Sequence, residues 1–238
     1  MTLDLQFFIR MFFSFIDFTS FTLLSLSLFR IPILMYWKRL LAMQVVFILI
    51  MLFHENVLMN KDYYVLSIAL SAIILSTFLL QIPLLYSILI WGSGYLLNAA
   101  LQTVVILGLS ASGLFDPVEL WHNVTLQLFV MGIYSALFLL LVYFIQRKRL
   151  GFMFIENRFR LAKRKLRMKD LFIATFFVST MSLLQFGFVY AASDYLNVYW
   201  FASMLAMIIL SLIGLYITYK INIFEIEERF KSFRRFKK

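Results

Sequence analysis

The chain has 238 residues, of which 63% are hydrophobic and 14% are charged, and its mean hydropathy is +0.91. A soluble domain carries roughly 25% charged residues, so this composition excludes a water-soluble globular protein and indicates a membrane protein. The net charge is +10, and the absence of cysteine excludes disulfides, thiolate metal sites and cysteine nucleophiles.

Apolar runs follow one another along the chain, separated by proline, glycine and polar clusters, and a bilayer crossing needs about 20 such residues. They predict an all-α fold, a polytopic transmembrane helical bundle of about seven spans. Asp4, rather than lysines, precedes the first run, so we expect this run to remain as a span and not to be removed as a signal peptide. The spans are predicted at about 5–29, 40–54, 63–80, 83–108, 124–146, 171–193 and 195–219.

The distribution of charge predicts the orientation of this bundle. In a seven-span arrangement, the cations of the first connection, the fifth connection and the C-terminal tail all fall on one side, which the positive-inside rule makes cytoplasmic. We therefore expect the N-terminus outside and the C-terminus inside, in a bacterial cytoplasmic membrane. The opposite side carries mainly acidic residues, namely Asp4, Glu55, Asp62, Asp116, Glu119 and Asp194, with Lys61.

The fifth connection is strongly basic, with ten cations and the single carboxylate of Glu156 between positions 147 and 169. Its apolar residues share one helical face, which predicts an amphipathic connector in the headgroup layer, bound to an anionic inner leaflet. We assign 1–219 to the bundle, including this connector at 147–170, and 220–238 to a basic amphipathic tail. Because topology explains the charge, no nucleic-acid partner is expected. The anchor residues are Arg147, Lys148, Arg149, Arg158, Arg160, Lys163, Arg164, Lys165, Arg167 and Lys169.

Two ionisable residues, Arg10 and Asp17, lie seven positions apart in the first span and so share a helix face. Charged groups at membrane depth are costly, so we expect them to pair with each other or to meet another helix. Arg10 is near the outer end and can extend to the interface, whereas Asp17 is about halfway along. Asp17 is either structural, hydrogen-bonded or protonated, or it acts in signalling, ion movement or ligand binding.

The fourth span carries a polar and aromatic stripe on one face, spaced by four, three and four residues. We expect this face to contact other helices, because intramembrane amides commonly hydrogen-bond between helices. Gly92 and Gly94 beside it permit close approach of a neighbouring backbone, or a small ligand pocket. The stripe consists of Trp91, Tyr95, Asn98 and Gln102.

Enzymatic signatures are absent from the sequence, which contains no P-loop, no H-E-x-x-H, no G-x-S-x-G and no dinucleotide fingerprint. His54 and Glu55 are adjacent at an outer helix end, but no further ligand stands in register with them. We therefore expect a protein that is not an enzyme and that has no cofactor and no metal site.

The tail after the last span has a heptad-like pattern in Ile223, Ile226, Phe230 and Phe233, which are spaced three, four and three apart. This spacing predicts that the last helix continues out of the membrane. It is either a signalling or dimerisation stalk or an amphipathic end on the inner leaflet.

Four features are shared with a known family: the segment "LSLFRIPILMYW" after the first span, a multi-helix bundle with short outer loops, the basic connector before the last helix pair, and the helical exit. In these the chain resembles the membrane-embedded sensor region of Gram-positive peptide-pheromone receptor histidine kinases of the GHKL type. The resemblance implies a bundle that binds an extracellular peptide and an exit helix that signals to a dimeric kinase. The phosphoacceptor histidine and ATP-binding boxes are absent, so it implies a sensor region without its kinase domain, and it transfers no site residues.

Three functions follow as hypotheses. The first is a non-enzymatic sensor or regulatory protein that recognises an outside ligand or a membrane partner and signals through the exit helix. The second is a transporter subunit in which Asp17, Asn98 and Gln102 line a path and the basic connector docks an ATPase. The third is a scaffold subunit of a larger membrane complex. The expected partners are the anionic inner leaflet and either a second copy of the chain or another membrane or cytoplasmic subunit.

Overall fold

The computed structural model describes residues 5–57, 64–114, 123–148, 150–152, 175–180, 205–206, 208–220 and 223. Every regular element in these ranges is an α-helix, as the sequence predicts. The helices are α1 (Leu5–Leu28), α2 (Ile33–Asn56), α3 (Tyr64–Leu79), α4 (Leu84–Ala111), α5 (Val124–Arg147), the helical segment α6 (175–180) and α7 (Ile208–Lys220).

Four helices, α1, α2, α4 and α5, are long and apolar enough to cross a membrane by their length and composition. Helices α3 and α7 are shorter but also apolar. The predicted spans match α1 to α5 to within a few residues at most boundaries, and α2 begins earlier because Ile33 follows the helix-starting Pro32 directly. Of the span predicted at 171–193, only residues 175–180 are described.

Two helical hairpins use the same kind of turn, which the sequence analysis does not identify as a repeat. Arg30 follows α1 with φ 53°, and Gln81, 51 positions later, follows α3 with φ 58°. In each turn a buried isoleucine and then a proline come next, in the segments "RIP" and "QIP". A left-handed residue ends a helix, and the proline opens the following one, so both pairs reverse direction within a few residues.

Side-chain contacts fix the relative directions of the first helices. Arg10 near the start of α1 forms an ion pair with Glu55 near the end of α2. Deeper in this pair, Gln44 Nε2 donates to Thr22 Oγ1 at 2.8 Å. At the other end of α2, an Arg39 guanidinium nitrogen donates to the carbonyl oxygen of Leu79, the last residue of α3, at 2.8 Å. Helices α1, α2 and α3 therefore alternate in direction.

Helix α5 runs parallel to α1, while α7 runs antiparallel to α4. Gln146 at the end of α5 donates to Ser27 Oγ at the end of α1, at 3.1 Å. On the last helix, Thr218 Oγ1 lies 3.1 Å from Ser93 Oγ near the start of α4, and Ser211 Oγ bonds further along α4. The end of α1, the start of α4 and the ends of α3, α5 and α7 thus lie at one end of the bundle.

The first helix lies in the core, packed against α2, α4 and α5. Its inward faces carry hydroxyl residues as well as apolar ones. Two of these hydroxyls bond to its own backbone: Ser20 Oγ donates to Asp17 O at 2.8 Å and Ser25 Oγ to Phe21 O at 2.9 Å. Local bonds of this kind satisfy a buried hydroxyl without a partner helix. Small side chains on α1 therefore let the neighbouring helices approach closely.

Candidate functional site

Trp91 is the centre of the packed core. Its side chain is fully buried, and its indole nitrogen donates to Ser76 Oγ of α3 at 3.0 Å. The ring lies 5.5 Å from that of Phe21 on α1 and 6.4 Å from that of Phe47 on α2, measured between centroids. Trp91 joins four helices, so its role in the structure is to fix their arrangement.

The rest of the α4 stripe also faces inward, as predicted. Tyr95 and Asn98 are buried, and Gln102 is partly buried. Asn98 Oδ1 is inaccessible to water and has no hydrogen-bond partner among the described residues. An amide oxygen left in this way costs about 1–3 kcal/mol, so Asn98 retains an unused acceptor within the core.

The two glycines beside the stripe provide the predicted close approaches, each to a different neighbour. At Gly94 a methyl group would overlap Ser25 Oγ of α1, and at Gly92 it would lie 2.8 Å from a ring carbon of Phe177 on α6. A third glycine, Gly214 on α7, contacts Leu96 of α4 in the same way. Helix α4 therefore packs closely against α1, α6 and α7 at glycine positions, where an added side chain would force a neighbouring side chain to move.

Asp17, on α1, contacts α5. The hydroxyl of Tyr134 on α5 donates to its carboxyl group. The other oxygen, Oδ1, is buried without a hydrogen-bond partner in the described part of the chain, and so is Ser135 Oγ, next to Tyr134. One side of the Asp17 carboxyl group thus accepts a hydrogen bond from Tyr134. The other oxygen, Oδ1, can accept a hydrogen bond or bind a cation.

Arg10 meets another helix and not Asp17. Its guanidinium forms an ion pair with Glu55, and both side chains are partly buried. Next to Glu55, His54 Nε2 lies 3.0 Å from Ser67 Oγ of α3. These contacts join the start of α1, the end of α2 and the start of α3. No group of three His, Cys, Asp or Glu residues that could hold a metal occurs within the described ranges.

Asp17 and Gln102 lie at a similar depth in the bundle. The contact between Ser25 and Gly94 gives the relative level of the two antiparallel helices. Asp17 is eight residues before Ser25 and Gln102 is eight residues after Gly94, which is about 12 Å along each axis in the same direction. These two polar groups therefore lie at one level, about halfway along α1.

The opposite end is basic. Arg147 and Lys148 of the predicted anchor are exposed at the end of α5, close to the exposed Lys38 and Arg39 of α2 and Lys220 of α7. The remaining anchor residues, Arg149, Arg158, Arg160, Lys163, Arg164, Lys165, Arg167 and Lys169, lie outside the described residues. One-sided cations are the pattern of a cytoplasmic membrane face.

Aromatic rings accompany these cations, a feature that the sequence analysis does not use. The charged groups lie 5.5 to 5.8 Å from the ring centroids in the pairs Lys38 with Trp37, Arg39 with Tyr36, Arg147 with Tyr143, and Lys220 with Tyr216. These pairs have a sequence signal: a Tyr or Trp stands one to four positions before a cation at a helix end. Such pairs suit the interface between hydrocarbon and headgroups.

The contact between α4 and α7 is the second feature missed from the sequence. Ser211 Oγ donates to the carbonyl oxygen of Leu96 at 2.7 Å, and Thr218 bonds with Ser93 two turns away. All three of these hydroxyl side chains are buried. The helix that carries the inward polar stripe is therefore hydrogen-bonded directly to the last helix of the bundle.

The class of protein that this fold and composition indicate is a multi-span helical membrane protein. No family model matches the chain, and searches of curated proteins and of solved structures find no match either.

Proposed function

We propose that this protein is a non-enzymatic membrane sensor or regulatory subunit that recognises an extracellular ligand or a membrane partner and signals through α7 and the tail. The observation that carries this proposal is the buried contact of α4 with α7. A ligand that shifts α4 through its inward stripe also shifts α7, because Ser93, Leu96, Ser211 and Thr218 bond the two helices directly. Packed and hydrogen-bonded contacts of this kind carry energetic coupling between distant sites.

The proposed topology has seven spans, with the N-terminus outside. Support comes from the helix directions: α1, α3 and α5 run one way, and α2 and α4 run the other. Helix α7 runs in the direction of α5, so an odd number of crossings must lie between them. A single crossing, with α6 as part of it, accounts for this. The basic ends of α5 and α7 then face the cytoplasm.

The proposed ligand region is the middle of the bundle, where Asp17 and Asn98 retain unused acceptor oxygens. A ligand with N–H donors, such as a peptide, satisfies acceptors of this kind. The resemblance to pheromone receptor sensor regions points to the same ligand class. The signal would be received by a kinase or other cytoplasmic protein region, reached through the tail.

A chimera tests this function. The chain is fused after α7, in helical register, to the kinase region of a characterised membrane sensor and exposed to culture medium conditioned by the organism that encodes it. We expect the kinase output to change severalfold with intact medium and to change little with protease-treated medium.

The matched variants are Thr218→Val and Thr77→Val, which each remove one hydroxyl. Thr218 bonds Ser93 between α4 and α7, whereas Thr77 bonds Ser87 between α3 and α4. We expect the first variant to lose the response and the second to keep it. An inserted chimera that ignores conditioned medium at every dose contradicts the proposal.

A transporter subunit is the second candidate, because Asp17 Oδ1 is an unused carboxyl oxygen within the bundle. Proteoliposomes that contain the purified chain, alone and with any ATPase that co-purifies with it, test this candidate by ion flux. A flux that Asp17→Asn abolishes would favour transport over sensing, and no flux in either preparation would exclude this role for Asp17.

A further inference from the structure

The last helix presents an unusual exposed stripe. On the side of α7 and its preceding turn that faces away from α4, five large apolar or aromatic side chains are between 49% and 61% exposed. The opposite side of the same helix, with Ser211, Gly214 and Thr218, is buried. These five residues are Leu205, Ile209, Leu212, Tyr216 and Tyr219, and Ile213 beside them is 42% exposed.

The spacing of this stripe is four, three, four and three residues. The tail continues it without a break: Ile223 follows Tyr219 by four, and Ile226, Phe230 and Phe233 follow at three, four and three. Ile223 is helical in the structure. Nine positions from Leu205 to Phe233 therefore form one heptad pattern that begins in α7 and ends in the charged tail. We call these nine positions the seam.

A lipid-facing surface does not need this regularity. An ideal helix drifts by about 20° per heptad from a 3.5-residue repeat, so four heptads hold one line only when the helix winds around a partner. The exposed stripe of α2 shows the contrast: Trp37, Leu41, Val45, Leu49 and Phe53 recur every four residues and wind around that helix. Lipid can cover the exposed stripe of α2, and a tail that lay on the inner leaflet would bury its own apolar residues there, but neither case needs those residues in line with the stripe of α7.

We propose that the seam is a parallel dimer interface occupied by α7 and the tail of a second copy of this chain. Two copies inserted in the same orientation place their last helices parallel. Ile209 and Ile223 fall at heptad position a and Leu205 and Leu212 at position d, residue types that favour two strands there. The other seam positions are aromatic or isoleucine, with Tyr216 and Phe230 at a and Tyr219, Ile226 and Phe233 at d. The contact repeats the same patch on both copies, as a two-fold axis requires.

The position of the seam agrees with the contacts of α7 inside one copy. The residues buried on α4, Ser211, Gly214 and Thr218, occupy heptad positions c and f, on the far side of the helix from a and d. One face of α7 therefore binds α4 while the other is free to meet the second copy. This inference rests on the proposed function, because it names the partner of the exit helix as a second copy of the chain. A movement of α4 would then reach both copies through their paired α7 helices.

The absence of cysteine in the chain makes a disulfide scan direct. Single cysteines are placed along the seam of the full chain, and native membranes are oxidised at low expression. The matched pair is Leu212→Cys and Leu49→Cys, which replace the same residue type at 61% and 58% exposure. We expect at least about fivefold more covalent dimer at Leu212, because a disulfide needs Cα atoms within about 7 Å.

Further positions define the interface. Ile209→Cys, Tyr216→Cys, Tyr219→Cys, Ile226→Cys and Phe230→Cys should cross-link, whereas Leu210→Cys and Ile217→Cys, at position b, should not. Equal cross-linking at Leu49 and Leu212 overturns the proposal, and so does cross-linking that stops at Tyr219. The outcome is separable from the sensor test. Cross-linking along the seam together with an unresponsive chimera retains the dimer and rejects the proposed function. A responsive chimera without cross-linking along the seam rejects only the dimer.

Discussion

Gly94 is the residue at which the packing of the bundle is most sensitive. A methyl group there would overlap Ser25 Oγ, so we expect Gly94→Ala to lower the free energy of unfolding by about 1–3 kcal/mol. Unfolding of the purified protein by SDS in mixed micelles measures this. Gly108→Ala is the control, because nothing lies within 4 Å of its added carbon, and it should leave stability unchanged or raise it by up to about 1 kcal/mol. Equal stability of the two variants would contradict the close approach.

Trp91 and Ser76 should be energetically coupled across α3 and α4. Trp91→Phe removes the donor and Ser76→Ala the acceptor of one 3.0 Å bond. Intramembrane hydrogen bonds contribute about 0.6 kcal/mol on average, so the double-mutant cycle should give a coupling near that value. The same unfolding assay measures the four proteins. Strictly additive effects would show that the indole acts through packing alone.

At the scale of helices, the ion pair between Arg10 and Glu55 joins the start of α1 to the end of α2. Either Arg10→Gln or Glu55→Gln should destabilise the protein by about 0.5–1 kcal/mol, because each leaves a partly buried charge without its partner. The swap Arg10→Glu with Glu55→Arg should recover part of the loss. Thermal unfolding in nanodiscs at low and high salt checks this, and a swap that is worse than both single variants would count against the pair.

The whole molecule is predicted to expose its basic end to the cytoplasm. Fusions of a fluorescent protein that matures only inside the cell should be bright after residue 152 and after residue 238. An alkaline phosphatase fusion after residue 114 should be active, because this site follows α4 on the opposite side. An active phosphatase fusion after residue 238 would place the C-terminus outside and would reject the orientation.

Much of the helix pattern follows from the sequence, because the need to bury backbone hydrogen bonds in lipid leaves long apolar helices as the available solution. The inward position of Trp91, Tyr95 and Asn98 also follows from their spacing, as does the need of Arg10 for a partner on another helix. The identity of that partner does not. Glu55 lies 45 positions away, and only the antiparallel packing of α1 and α2 brings it to Arg10.

The sequence by itself determined the class of protein, the helices and the separation of charge between two ends, since these depend on composition and local periodicity. Only the tertiary structure decided which polar groups meet: Asp17 with Tyr134, Ser93 with Thr218, and Ser25 against Gly94. It also decided which side of α7 is buried, and so left the heptad stripe exposed. The physical reason is that such pairs form between helices far apart in the chain, where register and crossing are set by packing of the whole bundle.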